Sequence, residues 1–186
     1  MKPRYLFPSD YMADPSANVF NGKLYIYPSH DWEAGAAFDD DGGHFQMKDY
    51  HVLSFDDVER DEATDHGVIL DESGQPLRAG DPHRFFEASW MHKYNGRYYF
   101  SYSTGDSHLL CYAIGDNPYG PFTYQGVILD PVVGWTTHHS IVEYRGQWYL
   151  FYHDCVPSSG VTHLRSLKVQ RLFYNEDGTI RKVANE

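Results

Sequence analysis

The feature that most constrains this fold is a hairpin pattern that occurs three times along the chain. Tyrosine-rich apolar runs meet at Asn21-Gly22, at Asn95-Gly96 and at Arg145-Gly146. Asn-Gly between two such runs is the strongest short-range signal for a tight β-hairpin. Each hairpin predicts two antiparallel strands, so the pattern predicts an all-β protein.

The hairpins belong to a longer repeat. His66-Gly67-Val68-Ile69-Leu70 ends the first unit, and Gln125-Gly126-Val127-Ile128-Leu129 ends the second. Units of four short strands that recur every 50 to 60 residues are typical of β-propeller blades. We therefore predict three four-stranded blades, at approximately residues 11–70, 85–129 and 135–184. The alternative is a generic β-sandwich built from hairpins.

Composition narrows the range of partners and compartments. The chain has 186 residues and a net charge of −11, which argues against nucleic acid or an anionic membrane because phosphate binding needs clustered Lys and Arg. No apolar stretch approaches the roughly 18 residues of a membrane span. Cys111 and Cys155 lie inside predicted strands without motif spacing, so we expect buried free thiols and a cytoplasmic location.

Two carboxylates stand at the starts of predicted inner strands. Glu87 interrupts the apolar run from Phe85 to Trp90, and Asp14 precedes Pro15 at the start of the first unit. Apolar surroundings raise the pKa of a carboxyl, as a general acid requires. The alternatives are that Asp14 caps a turn and that Glu87 forms an ion pair with an arginine.

These motifs resemble family 43 of the glycoside hydrolases over almost the whole chain. Tyr11-Met12-Ala13-Asp14-Pro15 resembles the base motif of the family's first blade, and Phe85-Phe86-Glu87-Ala88-Ser89 resembles the acid motif of its fourth. The stretch 136–154 is similar to the fifth blade. The resemblance implies a five-bladed propeller, inverting hydrolysis of xylosides or arabinofuranosides, Asp14 as the base and Glu87 as the acid.

Other residues are candidates for contacts around that pair. His30, Asp31 and Trp32 are candidate sugar contacts, and the ring of Trp32 could stack on a pyranose face or pack in the core. Arg165 resembles a family arginine that contacts the substrate, with a blade-stabilising ion pair as the alternative. His139 resembles a channel histidine near a metal, often calcium, although a lone strand histidine is more often a hydrogen-bonded core residue. Calcium prefers oxygen ligands, so we expect contact through water and no required cofactor.

The resemblance also exposes a gap. The chain passes from Leu70 almost directly to the acid motif, without counterparts of the family's second and third blades. A third acidic residue, an aspartate that orients the acid in the family, is lost with them. Two hypotheses follow: a weak glycosidase, or an inactive propeller fragment that serves as an oligomeric structural or sugar-binding module.

Three blades cannot close a ring, since propellers typically have four to eight. Two bare blade faces of this size favour association. We therefore predict a homodimer whose two halves form one six-bladed ring. In that ring Glu87 would lie across one blade from the Asp14 of the other subunit.

Overall fold

The computed structural model describes residues 4–33, 35, 37, 46–70, 73–76, 85–105 and 107–185. Within these ranges the chain is all-β, as predicted, with one short 3₁₀ turn at Val156–Ser158. The strands are β1 (Met12–Phe20), β2 (Lys23–Asp31), β3 (Met47–Phe55), β4 (Thr64–Val68), β5 (Phe85–Tyr94), β6 (Arg97–Thr104), β7 (Leu110–Gly115), β8 (Thr123–Leu129), β9 (Ser140–Tyr144), β10 (Gln147–Asp154) and β11 (Ser166–Leu172). They form three antiparallel sheets, β1-β2-β3-β4, β5-β6-β7-β8 and β9-β10-β11.

The three predicted hairpin turns are confirmed. Asn21 and Gly22 have φ of 52° and 80°, and Asn95 and Gly96 have φ of 46° and 82°. Two successive positive φ values are the signature of a type I′ turn, whose twist matches that of the flanking strands. Arg145 adopts the same conformation, with φ of 53°, at a cost that asparagine avoids.

The second sheet lies between the other two. Every residue of β7 and all but the first of β6 are buried, because these strands pack on both faces. On one face an aromatic cluster that includes Tyr27, Tyr50 and Phe100 joins it to the first sheet. On the other, Leu150 and Tyr152 of the third sheet pack on Tyr99 and Tyr112. The chain is therefore an arc of three sheets.

Side-chain hydrogen bonds fix the inner strands across both junctions. Ser89 Oγ on β5 donates to the carbonyl oxygen of Tyr27 at 2.8 Å, and Trp90 Nε1 donates to that of Ile141 at 3.0 Å. Neighbouring residues of one strand point to opposite faces, so this pair joins β5 to the first and third sheets at once. The starts of β1, β5 and β9 are thereby held near one another.

The third blade differs from the prediction of four strands. In the described part of the chain it has three, and the predicted strand at residues 179–183 forms only isolated bridges. The tight turn at Asn175–Gly178 returns the chain to Tyr174, which pairs with Ile180. Val183 then bridges Leu129 of the second sheet, where it is buried with Ile180. Burial between two sheets thus replaces a fourth strand at the edge of one.

Two remaining predictions concern the cysteines and the membrane. Cys111 and Cys155 are free and buried, as expected. Across the described ranges there is no helix with the length and apolar character needed to span a membrane.

Candidate active site

Glu87 lies near the start of β5, where the strand pairing with β6 is irregular. The register shifts on both sides of Glu87, and the next residue, Ala88, has a φ of 63°. A β-bulge re-aims side chains and is common beside active sites. It turns the Glu87 carboxylate out of the sheet toward the segment that leads into β9.

That segment supplies the partners of the carboxylate. Thr136 Oγ1 donates a hydrogen bond to Glu87 Oε1, and His138 Nε2 lies 3.4 Å from Glu87 Oε2. The Glu87 side chain is 21% exposed and that of His138 is 54% exposed, so substrate can reach both. Thr136 and His138 are two residues apart, which places them on one side of an extended chain.

This environment contradicts the expected direction of the pKa shift of Glu87. Burial raises its pKa, but the hydrogen bonds from His138 and Thr136, together with the charge of His138, outweigh burial, so the pKa is lowered. His138 responds in the opposite sense, because its contact with Glu87 raises its pKa. The aromatic residues next to Glu87 in sequence are thus not its main electrostatic neighbours.

Asp14 approaches the same place from β1. It lies in a bulge between Ala13 and Ser16, with a φ of 47°, and is exposed. A cavity of about 360 Å³ bordered by Asp14 also reaches His138. Burial raises the pKa of the Tyr50 hydroxyl well above its usual value, and the charges of Asp14 and Glu87 both add to the rise. The two carboxylates therefore lie around one imidazole and one phenol.

Arg165 lines a second cavity, of about 330 Å³, together with Glu87, His138 and His153. Burial lowers the pKa of His153, and the positive charge of Arg165 lowers it further. The cavity is thus lined by one carboxylate, one fixed cation and three histidines, of which His153 has a lowered pKa. Trp135, 52% exposed, and Val132 supply apolar surface.

The three candidate sugar contacts near the end of β2 do not all lie on the same face of the strand. Burial raises the pKa of Asp31, and the nearby charge of Asp14 adds to that rise, so Asp31 is close to the candidate base. Trp32 is 51% exposed just after β2. His30 does not join them: it is 6% exposed on the opposite face of β2, with its ring nitrogens 2.7 Å from Asp49 Oδ1 and 3.0 Å from Asp10 Oδ2.

His139 lines the cavity beside Asp14 together with His138, but it is less exposed than His138. Its Nε2 lies 2.6 Å from Ser101 Oγ, and its Nδ1 is buried without a hydrogen-bond partner. Burial lowers the pKa of His139 to about 3. Among the described residues no metal-holding group of histidines, cysteines and acids includes it. A single nitrogen does not fit calcium, which takes six to eight oxygens, so calcium contact through water stays a prediction.

Three residues beside Glu87 were not predicted from the sequence: Thr136, His138 and His153. Their signal is the run Thr136-Thr137-His138-His139 before a strand. Residues two apart share a side, so Thr136 and His138 form one polar row and Thr137 and His139 the other. His153 follows from its place at the end of β10, although only the fold brings it to Glu87.

Comparison with known proteins places this geometry in a family. The chain is 44% identical to a β-xylosidase of Xylanibacter ruminicola, in a match that covers 98% of this chain and 100% of that protein. It is 43% identical to a xylosidase/arabinosidase of Bacteroides ovatus, covering 95% and 96%. The chain belongs to glycoside hydrolase family 43. A scan against protein-family models finds no match.

Solved structures agree. A β-xylosidase structure has a TM-score of 0.62 and 42% identity, covering 98% of both chains. A family 43 β-xylosidase/α-arabinofuranosidase from a compost metagenome, solved with xylotriose in a calcium-free form, has a TM-score of 0.62 and 36% identity, covering 95% of both. Family 43 structures are β-propellers, so the three sheets are propeller blades.

The comparison also bears out the internal gap. The match to the Xylanibacter protein extends over 318 positions, whereas this chain has 186 residues. More than a third of those positions therefore have no counterpart here. The sheet that carries Glu87 packs directly on the sheet that carries Asp14.

Proposed function

We propose that this family 43 protein is an inverting glycosidase that acts weakly on xylosides or arabinofuranosides, with Glu87 as general acid and Asp14 as general base. The observation that carries the proposal is the convergence of these carboxylates, from neighbouring sheets, around His138. Its relatives are named as a β-xylosidase and a xylosidase/arabinosidase, which supports the substrate class.

The chemistry needs two carboxyl groups in different protonation states. Protonated Glu87 gives its proton to the glycosidic oxygen while the bond from that oxygen to the anomeric carbon breaks. Asp14, ionised, takes a proton from a water that attacks the anomeric carbon from the opposite face. The anomeric configuration inverts, and the two carboxyl groups must stand about 6.5–9.5 Å apart to admit the water.

The low rate follows from the protonation of Glu87. An efficient general acid has a pKa near the working pH. Burial acts in that direction, but His138 and Thr136 lower the pKa of Glu87, so little of it is protonated at neutral pH. The aspartate that orients the acid in the family is lost with the missing blades. Both features reduce turnover without removing the catalytic pair.

Arg165, Asp31 and Trp32 are proposed to bind the sugar. Arg165 is exposed in the cavity beside Glu87, where its guanidinium can donate hydrogen bonds to hydroxyl groups. Asp31, near Asp14, is an acceptor for hydroxyl groups. The exposed Trp32 ring offers an apolar face for stacking. His30 has no part in this proposal, because carboxylates occupy both of its ring nitrogens.

The same lowered pKa of Glu87 favours a second function, a sugar-binding module without catalysis. An ionised Glu87 can accept hydrogen bonds from a sugar but cannot protonate a leaving group. In that case xylotriose would bind with measurable heat while no reducing sugar appears. Calorimetry and product analysis on one protein sample separate the two functions.

We propose that the active form is a homodimer that closes a six-bladed ring. The outward face of the third sheet exposes a row of apolar side chains: Val142, Tyr144, Leu167, Val169 and Phe173. The outward face of the first sheet carries the cluster Ile26, Leu53 and Phe55, which is already buried in the single chain with Leu6 and Phe7 packed against it. Beside it lies an open cavity of about 730 Å³ that the exposed Tyr5 and Tyr11 border. In a five-bladed family ring the first and fifth blades are neighbours, so a second copy brings the same two faces together.

The stereochemistry of the first product tests the catalytic proposal. Proton NMR during hydrolysis of an aryl β-xyloside should show the α-anomer of xylose first, before mutarotation. Asp14→Asn should lower turnover by about 10²–10⁴-fold, the usual contribution of a general base. Release of the β-anomer, or full activity of Asp14→Asn, would overturn the role of Asp14.

A further inference from the structure

A chain of alternating acids and histidines crosses the outward face of the first sheet. Asp49 Oδ1 lies 2.7 Å from His30 Nδ1 and 3.2 Å from His51 Nε2. The far nitrogens of the two rings contact Asp10 Oδ2 at 3.0 Å and Asp65 Oδ2 at 2.7 Å. Four ring nitrogens thus face three carboxylates, and the proposed glycosidase mechanism uses none of them.

We propose that His30, Asp49 and His51 form a binding site for a divalent transition-metal ion, with zinc as the best fit. The site is separate from the catalytic pair and from His139. Two imidazoles and one carboxylate, with a fourth position open to water, form a donor set that zinc accepts. The inference stands on this geometry and does not depend on the proposed hydrolase activity.

The distances are close to those of a metal site. One ligand atom from each of the three residues lies within 4.8 Å of the other two. With zinc–ligand bonds of about 2.0–2.2 Å, a tetrahedral site separates its ligand atoms by about 3.3 Å. To reach that spacing the present Asp49 contacts, 2.7 and 3.2 Å, would open by about 0.6 and 0.1 Å, and the two imidazole nitrogens, which lie within 4.8 Å of each other, would move closer together. The two rings are nearly perpendicular, at 84°, so both can point nitrogens at one ion without stacking.

The two outer carboxylates, Asp10 and Asp65, contact the far nitrogens of the two imidazoles. A metal-bound histidine commonly donates its other ring N–H to a carboxylate, which fixes the tautomer and the ring orientation. Asp10 does this for His30, and Asp65 does it for His51. Both outer partners are therefore in place on the nitrogens that would face away from the ion.

In the single chain the site is accessible and anchored, on the face that the proposed ring would bring against the third sheet of the other copy. The side chains of His30, Asp49 and His51 are 8%, 19% and 16% exposed, which shields the ligands but leaves a path for an ion. His30 and Asp49 are direct partners in the β2–β3 pairing, so regular sheet structure holds two of the three ligands. Asp49 and His51 are two residues apart on β3 and share its outward face.

Zinc titrated into metal-free protein by calorimetry tests the proposal. We expect one tightly bound zinc ion per chain, and cobalt(II) at the same site should give the strong visible absorption of a four-coordinate complex. Asp49→Asn and His51→Gln should abolish the cobalt spectrum, while Asp65→Asn should weaken binding by about 10–100-fold through the outer contact. His163→Gln is the control and should change neither readout, because His163 is exposed and borders the cavity that contains Glu87.

A second measurement covers ligand variants that fail to fold. Zinc at 100 times its dissociation constant should stabilise the wild-type protein by about 2.7 kcal/mol, a shift visible in thermal unfolding. X-ray absorption of that sample should show two imidazoles bound to zinc. Loss of binding in Glu87→Gln instead of Asp49→Asn would place the ion in the catalytic cavity and overturn the site. A wild-type protein with no bound zinc would also overturn it.

Discussion

Val169→Asp should separate the proposed dimer into monomers. Val169 lies in the middle of β11, an edge strand of the third sheet, on its outward face opposite Phe151, and is 54% exposed in the single chain. In the closed ring this face packs on the first sheet of the other copy. The substitution therefore replaces an apolar contact with a carboxylate within the proposed interface.

The expected loss follows from exposure and symmetry. Burying the exposed half of a valine side chain is worth about 1 kcal/mol. A polar group buried without a partner costs roughly a further 2 kcal/mol or more. A two-fold ring has two equivalent interfaces, so the total loss is about 6 kcal/mol, which weakens dimerisation by about 10⁴-fold.

Light scattering coupled to size-exclusion chromatography measures the effect. The wild-type protein should elute with twice the 21.5 kDa mass of the chain at micromolar concentration, and Val169→Asp should elute at half that mass or precipitate. Val156→Asp is the matched control, because Val156 is 56% exposed in the turn after β10 and off the sheet face. A stable, folded wild-type monomer would refute the ring, and a trimer would refute the six-blade count.

Three further predictions concern the site and the core. Burial raises the pKa of Glu87, but the contacts with His138 and Thr136 lower it overall. Because only protonated Glu87 can act as the acid, kcat/KM should fall as pH rises, and His138→Asn should move that fall to higher pH. An unchanged pH profile would contradict the assignment. Mixing Asp14→Asn with Glu87→Gln protein should restore no activity, because the pair converges within one chain; recovery would assign the base to the partner. Burial lowers the pKa of His92 to about 3, so the free energy of unfolding measured in urea should fall by about 1.4 kcal/mol per pH unit for this group as the pH drops from about 6.5 toward 3. His92→Phe should show a shallower slope.

The sheets could be predicted because the signals for their turns and strands lie in short stretches of sequence. The Asn21-Gly22 and Asn95-Gly96 turns depend on the φ values that asparagine and glycine tolerate, and the flanking runs carry strand propensity. The end of the third blade depends instead on contacts with the second sheet, which is distant in sequence. Ile180 and Val183 gain more from burial between two sheets than from pairing at an edge, and no local pattern records that gain.

The two carboxylates that the fold brings together were both singled out from the sequence, but the pKa shift of Glu87 was not predicted. The neighbours of Glu87 in sequence are aromatic, whereas its hydrogen-bond partners come about 50 residues later, in the segment before β9. Sequence order therefore gave the wrong direction for its pKa. His30 was grouped with Asp31 because the two adjoin in sequence, but its ring lies on the other face of β2. The alternation of side chains along a strand separates such neighbours.

The most direct test of the central claim compares two leaving groups in the wild-type protein and in Glu87→Gln. The phenolate of an aryl xyloside with a strongly acidic phenol leaves without protonation, whereas the leaving xylose of xylobiose needs a proton from the general acid. We expect Glu87→Gln to lose about 10²–10⁴-fold in kcat/KM on xylobiose and far less on the activated aryl xyloside. Equal losses on both substrates, or no loss on either, would contradict the assignment of Glu87 as the acid.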